Sequence, residues 1–293
     1  MLKISNILVC TDFSIYSDYA MRVAEKIRKK TNGNVTALHV SEFSINWDWM
    51  PPNYTEGGYQ VEMLKVLKKR IEDQLLKNDL KASTIVSMGL ISTVIIDFIK
   101  GNKVDLVIIS HKGRTGHFSI GSIAAKIIAT SPIPVFIVKK DLEIDRVSVL
   151  VDPNGATDKL LSFGKGFVDV FKKDLNVLSL IPDIAARYIG VGKIGFSTEL
   201  LSLTEDQKKK FIQETIEGLK KKFGHQSNVY FNVETTTEKK ISFHLNKILM
   251  AHKIDVIIMQ RHQSTYLEKI LIGSETRRMI EIFEGNIIIL TPS

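Results

Sequence analysis

The chain is poor in several residue types that would fix its class at once. In 293 residues it has one cysteine, Cys10, with seven prolines and two tryptophans. A single cysteine excludes an intrachain disulfide and any multi-cysteine zinc site, and it fits a reducing compartment. No apolar run approaches the ~18–20 residues of a membrane span. The first apolar run, Ile7-Leu8-Val9-Cys10, is interrupted at Asp12, which leaves no secretory signal pattern. The patterns G-x4-G-K-[S/T], H-E-x-x-H and G-x-S-x-G are absent. That removes the P-loop, zinc-protease and nucleophile-elbow readings. A soluble cytoplasmic protein is the expectation.

What is present is ordinary in bulk. Apolar residues make up 44% and charged residues 25%, the balance of a folded globular protein rather than a disordered one. At ~100–200 residues per domain the length predicts two domains. The formal net charge is +8. Residues 1–140 hold 19 Lys and Arg against 12 Asp and Glu, and residues 141–293 hold 21 against 20, so the basic surplus lies in the first half. Such a surplus suits a phosphorylated ligand, or it marks solvated helix faces such as Arg28-Lys29-Lys30 and Lys68-Lys69-Arg70. No aromatic-basic motif points to nucleic acid, and no membrane partner is expected.

An internal repeat organises the chain. Ile7-Leu8-Val9-Cys10-Thr11-Asp12 has a counterpart in Val147-Ser148-Val149-Leu150-Val151-Asp152, and Lys103-Val104-Asp105 returns as Lys253-Ile254-Asp255. Ile120-Gly121-Ser122 returns as Ile272-Gly273-Ser274, and Pro134–Val138 as Asn286–Leu290, always in the same order. The repeating unit is a whole domain: residues 1–140 and 146–293, with the charged segment 139–145 as linker.

Within each unit, apolar runs alternate with helical patterns. Strands are predicted near 6–11, 34–40, 82–87, 104–110 and 134–138. Helices are predicted near 14–30, 59–78, 91–101 and 120–130. The second unit repeats this, with strands near 146–151, 174–180, 228–234, 254–259 and 286–290. Its helices fall near 155–172, 203–223, 238–252 and 270–283. Alternation of this kind predicts parallel βαβ units with right-handed crossovers, and strands apolar along their length expect helices on both faces. Each half is thus a five-stranded α/β sandwich, whose ligands sit beyond the carboxyl ends of the strands where strand order reverses. Two longer loops, 41–58 and 181–202, follow the second strand of each half; they are either lids or packing surfaces for the other domain.

Few residues are placed to do chemistry. Asp12 ends the first strand, where a carboxylate either accepts from ribose hydroxyls or an adenine amine, or caps the first helix as Ser14 also could. Asp152 repeats the position. Ser110-His111-Lys112-Gly113-Arg114-Thr115-Gly116-His117-Phe118-Ser119-Ile120-Gly121-Ser122 follows the fourth strand and opens a helix. Glycines there let the backbone approach phosphate oxygens, and the helix N-terminus offers unpaired N–H groups; the alternative is a flexible, solvated loop. His111 and His117 flank this loop. His39 reads as packed or hydrogen-bonded, and Cys10 as an inert thiol within a strand.

On these residues the chain resembles the universal stress protein family in tandem form, two such domains in one polypeptide. The resemblance rests on Ile7–Asp12, Val35–Val40, Val104–Ile109 with the loop that follows, and Pro132–Val138, and the second half repeats the pattern. It implies a parallel sheet in the order 3-2-1-4-5 in each half, paired through the last strands as an internal pseudo-dimer that could assemble further. It also implies ATP, with Mg²⁺, as a ligand in members that carry G-x2-G-x9-G-[S/T]. By resemblance the adenine and ribose fall near Asp12 and Val40, and the phosphates near Gly113, Arg114, Gly121 and Ser122.

Both halves depart from that motif. Ser110 stands at the leading glycine position, and seven residues rather than nine separate Gly113 from Gly121. In the second half the nine-residue spacing to Gly273-Ser274 is intact, but Gln260 and Gln263 replace the glycines, so Asp152, Gly273 and Ser274 read as a degenerate site. The expectation is a stress-response binding module with nucleotide in the first half and no catalytic constellation. The alternative is a nucleotide-free scaffold that binds a protein partner through loops 41–58 and 181–202.

Overall fold

The computed structural model describes residues 2–42, 56–113, 121–152, 158–182, 204–223, 227–236, 241–261 and 274–291. The first half runs β1 (Asn6–Cys10), α1 (Ile15–Thr31), β2 (Asn34–Ser41), α2 (Glu56–Lys77), β3 (Ser83–Met88), α3 (Ile91–Gly101), β4 (Leu106–Ser110), α4 (Ser122–Thr130) and β5 (Val135–Val138). The second runs β6 (Val147–Val151), α5 (Asp158–Phe171), β7 (Leu175–Pro182), α6 (Glu205–Phe223), β8 (Val229–Thr236), α7 (Ile241–Ala251), β9 (Val256–Gln260), α8 (Ser274–Ile282) and β10 (Asn286–Leu290).

The strands form one ten-stranded sheet in the order β3-β2-β1-β4-β5-β10-β9-β6-β7-β8. Each half thus has the order 3-2-1-4-5, and all pairs are parallel except β5 with β10, which is antiparallel and joins the halves. Side-chain alternation along the strands feeds two cores. Ile7 and Val9 pack with α1, α2, α5 and α6 on one face, while Leu8 packs with α3, α4, α7 and α8 on the other. Both faces are covered, which is why the strands are apolar throughout.

Local signals set the elements. Ser14 is the N-cap of α1, with its Oγ accepting from Ser17 N at 3.2 Å. The helix stops at Asn32, which adopts a left-handed conformation (φ 52°). Its buried stripe of Ala20, Met21, Val23, Ala24 and Ile27 follows the helical period. β4 starts two residues later than the apolar pattern predicts. Asp105, just before it, ties this end to β1: its N donates to Asn6 O at 2.9 Å, and its Oδ2 accepts from Ser5 N at 2.7 Å and Asn6 N at 2.9 Å. Asp255 does the same in the second half, accepting from Arg146 N at 2.9 Å. The repeated aspartate is therefore a clamp on the entry to the first strand of each half.

Of the two long loops, residues 43–55 and 183–203 lie outside the described residues. Among the described residues no helix is long and apolar enough to cross a membrane.

Candidate functional site

A cavity of about 470 Å³ opens at the carboxyl ends of β1 and β4, in the first half. This is the point at which strand order reverses, so the loops leaving β1 and β4 diverge to opposite faces and leave a crevice. Asp12 and Thr11 enter it from the end of β1, Val40 and Leu38 from β2, and Ser110 through Gly113 from the end of β4. Gly121 and Ser122 close it at the start of α4. The structure thus brings together Asp12, Val40, Gly113, Gly121 and Ser122; Arg114 lies outside the described residues.

Each polar element is held by its neighbours. Asp12 Oδ1 accepts from Ser14 N at 3.0 Å and from Ser14 Oγ at 2.6 Å. Ser14, not Asp12, caps α1; Asp12 orients the cap. A β-carbon on Gly113 would lie 3.2 Å from Asp12 Oδ2, so the glycine permits the close approach of the two loops. Ser110, at the leading glycine position of the motif, turns its hydroxyl back into its own loop and donates to Lys112 O at 3.0 Å. The loop ends are drawn together by a bond from Gly121 N to His111 O at 3.4 Å.

The N-terminus of α4 has an extended glycine cap (φ −61°, ψ 145°), with no side-chain hydrogen bond to it among the described residues. Its first N–H groups are therefore available to an acceptor in the cavity, with the partial positive charge of the helix end behind them. Thr11 anchors the β1 side. Its Oγ1 donates to Gln74 Oε1 at 2.7 Å, and Gln74 Nε2 donates to the buried Asp18 Oδ1 at 2.7 Å. Burial pushes the Asp18 carboxyl up, but hydrogen bonds from Lys77, Gln74 and Asn78 outweigh it and hold the group below the ordinary carboxylate range.

His111 lines the cavity with its ring edge-on to Tyr16 at 5.1 Å. Its Nδ1 is buried with no hydrogen-bond partner among the described residues. Burial, then the charges of Lys139 and Lys112, push its pKa down to about 4, so the ring is neutral at pH 7. His39 is structural: its Nδ1 donates to Thr11 O at 2.8 Å, and its ring packs on Phe13. Cys10 is only half-buried in the fold and faces the cavity, yet burial of its thiol pushes the pKa up to about 12. That keeps it a thiol and unreactive at neutral pH.

The apolar wall escaped the sequence reading. Ile91 and Ile95 of α3, with Ile123 and Ile127 of α4, face Leu38 and Ile109 across the cavity. Helical spacing marks an apolar face but does not distinguish a cavity wall from a filled core, and Ile123 is in fact exposed. In the second half, Asp152 follows β6 as Asp12 follows β1, Gln260 ends β9, and Ser274 opens α8. Gly273 and Gln263 lie outside the described residues.

Residues 3–139 match the sequence profile of the universal stress protein family. The universal stress protein Slr1230 of Synechocystis is 23% identical over 300 residues, spanning 94% of this chain and 96% of that protein. The first half of the chain belongs to the universal stress protein family. A second relative, universal stress protein MJ0531 of Methanocaldococcus jannaschii, is 29% identical over 144 residues, 46% of this chain and 81% of that one. The crystal structure of a universal stress protein from Archaeoglobus fulgidus covers 100% of both chains with a TM-score of 0.68 at 14% identity, a likeness of fold. The likeness runs over the full length of both chains, so the two-half fold described above is shared with that protein.

Proposed function

We propose that the first-half cavity binds a nucleotide, with ATP as the first candidate and Mg²⁺ carried on its phosphates. The observation that supports this reading is the convergence of Asp12, Val40, Gly113, Gly121 and Ser122 on one cavity. Asp12 would accept from the ribose hydroxyls, and the apolar wall at Val40 would take the base. Gly113 would let the backbone approach the phosphates, and the N–H groups of α4 with the Ser122 hydroxyl would bind them. Among the described residues no three His, Cys, Asp or Glu side chains are grouped to hold a metal ion. This suits Mg²⁺, which keeps several waters and relies on substrate phosphates.

The reading is of a binding module rather than an enzyme. Among the described residues His111 is the imidazole that lines the cavity, and a base with a pKa near 4 draws a proton only weakly from an attacking water. Heat-denaturing the freshly purified protein and chromatographing the supernatant tests the proposal, followed by ATP–Mg²⁺ titration of the stripped protein. One nucleotide per chain is expected. Two per chain would overturn the assignment to the first half alone, and none in either measurement would overturn nucleotide binding itself.

A further inference from the structure

The two helices that open at the candidate phosphate positions, α4 and α8, are each tied at the opposite end by a cation from the other half. At the end of α4, Ile127 O accepts from Ser131 N at 2.8 Å. The next two carbonyls, Ile128 O at 2.7 Å and Ala129 O, both accept from Nη1 of Arg261, one residue beyond β9 in the second half. At the end of α8, Met279 O accepts from Phe283 N at 3.0 Å, and Ile280 O and Phe283 O accept from Nζ of the buried Lys139, one residue beyond β5 in the first half.

The carbonyls at a helix C-terminus lack intrahelical partners and carry partial negative charge. A half-buried guanidinium bonded to two of them fixes that end of α4 in place. α4 has nine residues, and its other end is the Gly121–Ser122 turn on the cavity, which carries no side-chain cap among the described residues. Over so short a rod, the position of the C-terminal carbonyls sets the aim of the N-terminal N–H groups. Ile127 carries this constraint to the cavity directly: it lines the wall and stands next to Ile128.

We propose that Arg261 is a positioning residue for the first-half site: the second half, through this one side chain, aims the N-terminus of α4 at the ligand's phosphate. The inference rests on the nucleotide reading above. It gives the second half a part in a site that none of its described residues lines.

The test uses the full chain with Arg261→Met, which keeps the aliphatic stem but removes charge and donors. Arg261→Lys restores the charge and one set of donors. Gly164→Ala, a second-half change remote from the cavity whose β-carbon would press on Val149, controls for general loss of stability. Affinities for ATP and for adenosine are compared. Arg261→Met is expected to weaken ATP about tenfold, the size of a favourable partly buried charge at a helix end, and to leave adenosine within about twofold. Arg261→Lys should recover part of the loss, and Gly164→Ala should bind ATP as the unaltered chain does. Hydrogen exchange at the amides of residues 122–125 should quicken in Arg261→Met without ligand. ATP affinity unchanged in Arg261→Met, or ATP and adenosine weakened alike, would overturn the proposal while leaving the nucleotide reading standing. Should Arg261→Met not fold, an Arg261→Lys protein that loses adenosine as much as ATP decides the same way. No binding of ATP by the unaltered chain would overturn the nucleotide reading, and this inference with it.

Discussion

Asp12 and Gly113 meet at the mouth of the cavity so closely that a β-carbon on residue 113 would stand 3.2 Å from Asp12 Oδ2. One of these residues leaves β1 and the other follows β4, so their contact closes the crevice made by the strand-order reversal. Gly121, across the cavity, faces open space: a β-carbon there would meet nothing within 4 Å among the described residues. The two glycines therefore separate packing from binding.

Gly113→Val is expected to displace the Asp12 carboxylate and lose both stability and ATP affinity. Gly121→Val places its side chain in open space, so its melting temperature without ligand should stay close to that of the unaltered chain, with a stability change of about 0.5 kcal/mol or less. The added bulk stands where phosphate would approach α4, so the rise in melting temperature on adding ATP should vanish. Gly273→Val in the second half should leave that rise intact. Thermal melts of the three variants with and without ATP decide it; equal loss from Gly121→Val and Gly273→Val would refute the first-half assignment.

His111 links the cavity to pH. Its folded pKa is about 4, lowered first by burial and then by Lys139 and Lys112, against about 6.5 for an unfolded histidine. Between those values the unfolded chain binds the additional proton. Stability from this group is therefore full above about pH 6.5 and is lost as pH falls toward 4. His111→Gln removes the titration. The stability difference between the unaltered chain and His111→Gln should shift against the unaltered chain as pH falls from 6.5 to 4.5, measured by urea unfolding. A difference that stays constant over that range would contradict the depressed pKa.

Much of this architecture is legible in the sequence because it depends on local or repeated signals. Ser14 announces α1, the apolar strands announce a sheet covered on both faces, and the two copies of the pattern announce two halves. Asp12 and Gly121 could be placed because each sits at a strand end or helix start that the pattern marks, and Val40 only through the family resemblance. The pairing of the halves through their last strands is implied by the resemblance and is present as β5–β10, but the side-chain contacts that cross the halves were not legible. Nothing local to Arg261 distinguishes it from a solvated arginine, because its partners, Ile128 O and Ala129 O, are backbone atoms more than 130 positions away. The cavity wall of Ile91, Ile95, Ile123 and Ile127 was hidden for a related reason: periodicity reports which face of a helix is buried, not whether the space opposite it is filled.

The repeated aspartates give a test of stability alone. Asp105 Oδ2 accepts two backbone N–H groups, at 2.7 and 2.9 Å. Asp105→Ala leaves Ser5 N and Asn6 N without that acceptor and should cost about 2–4 kcal/mol, given the usual worth of hydrogen bonds to a charged group. Asp255 makes the equivalent pair at 3.2 and 2.9 Å, both at exposed positions, where water can substitute. Asp255→Ala should cost less than Asp105→Ala in urea unfolding. The reverse order would mean that the clamp on the second half bears more of the fold.

Phe136 offers the sharpest test of how the halves depend on one another. In the antiparallel β5–β10 ladder it pairs with Ile288, which is its own counterpart in the internal repeat, so the pseudo-twofold axis passes between the two residues. Its fully buried ring stands edge-on to Phe167 of α5 at 6.2 Å, and Phe167 in turn packs on Phe163 and Phe171. Phe136→Ala removes a first-half side chain from a second-half aromatic cluster and should cost about 3–5 kcal/mol, as buried Phe→Ala changes do. Part of the loss falls on first-half packing against β4 and α1, but the aromatic contact with α5 lies between the halves, and each half keeps its own parallel strands and covering helices. The unaltered chain is therefore expected to melt in one calorimetric transition and Phe136→Ala in two, with the ladder no longer coupling them. A single transition merely moved to lower temperature would show that the remaining β5–β10 pairs, with Lys139 and Arg261 reaching across, suffice to hold the halves as one cooperative unit.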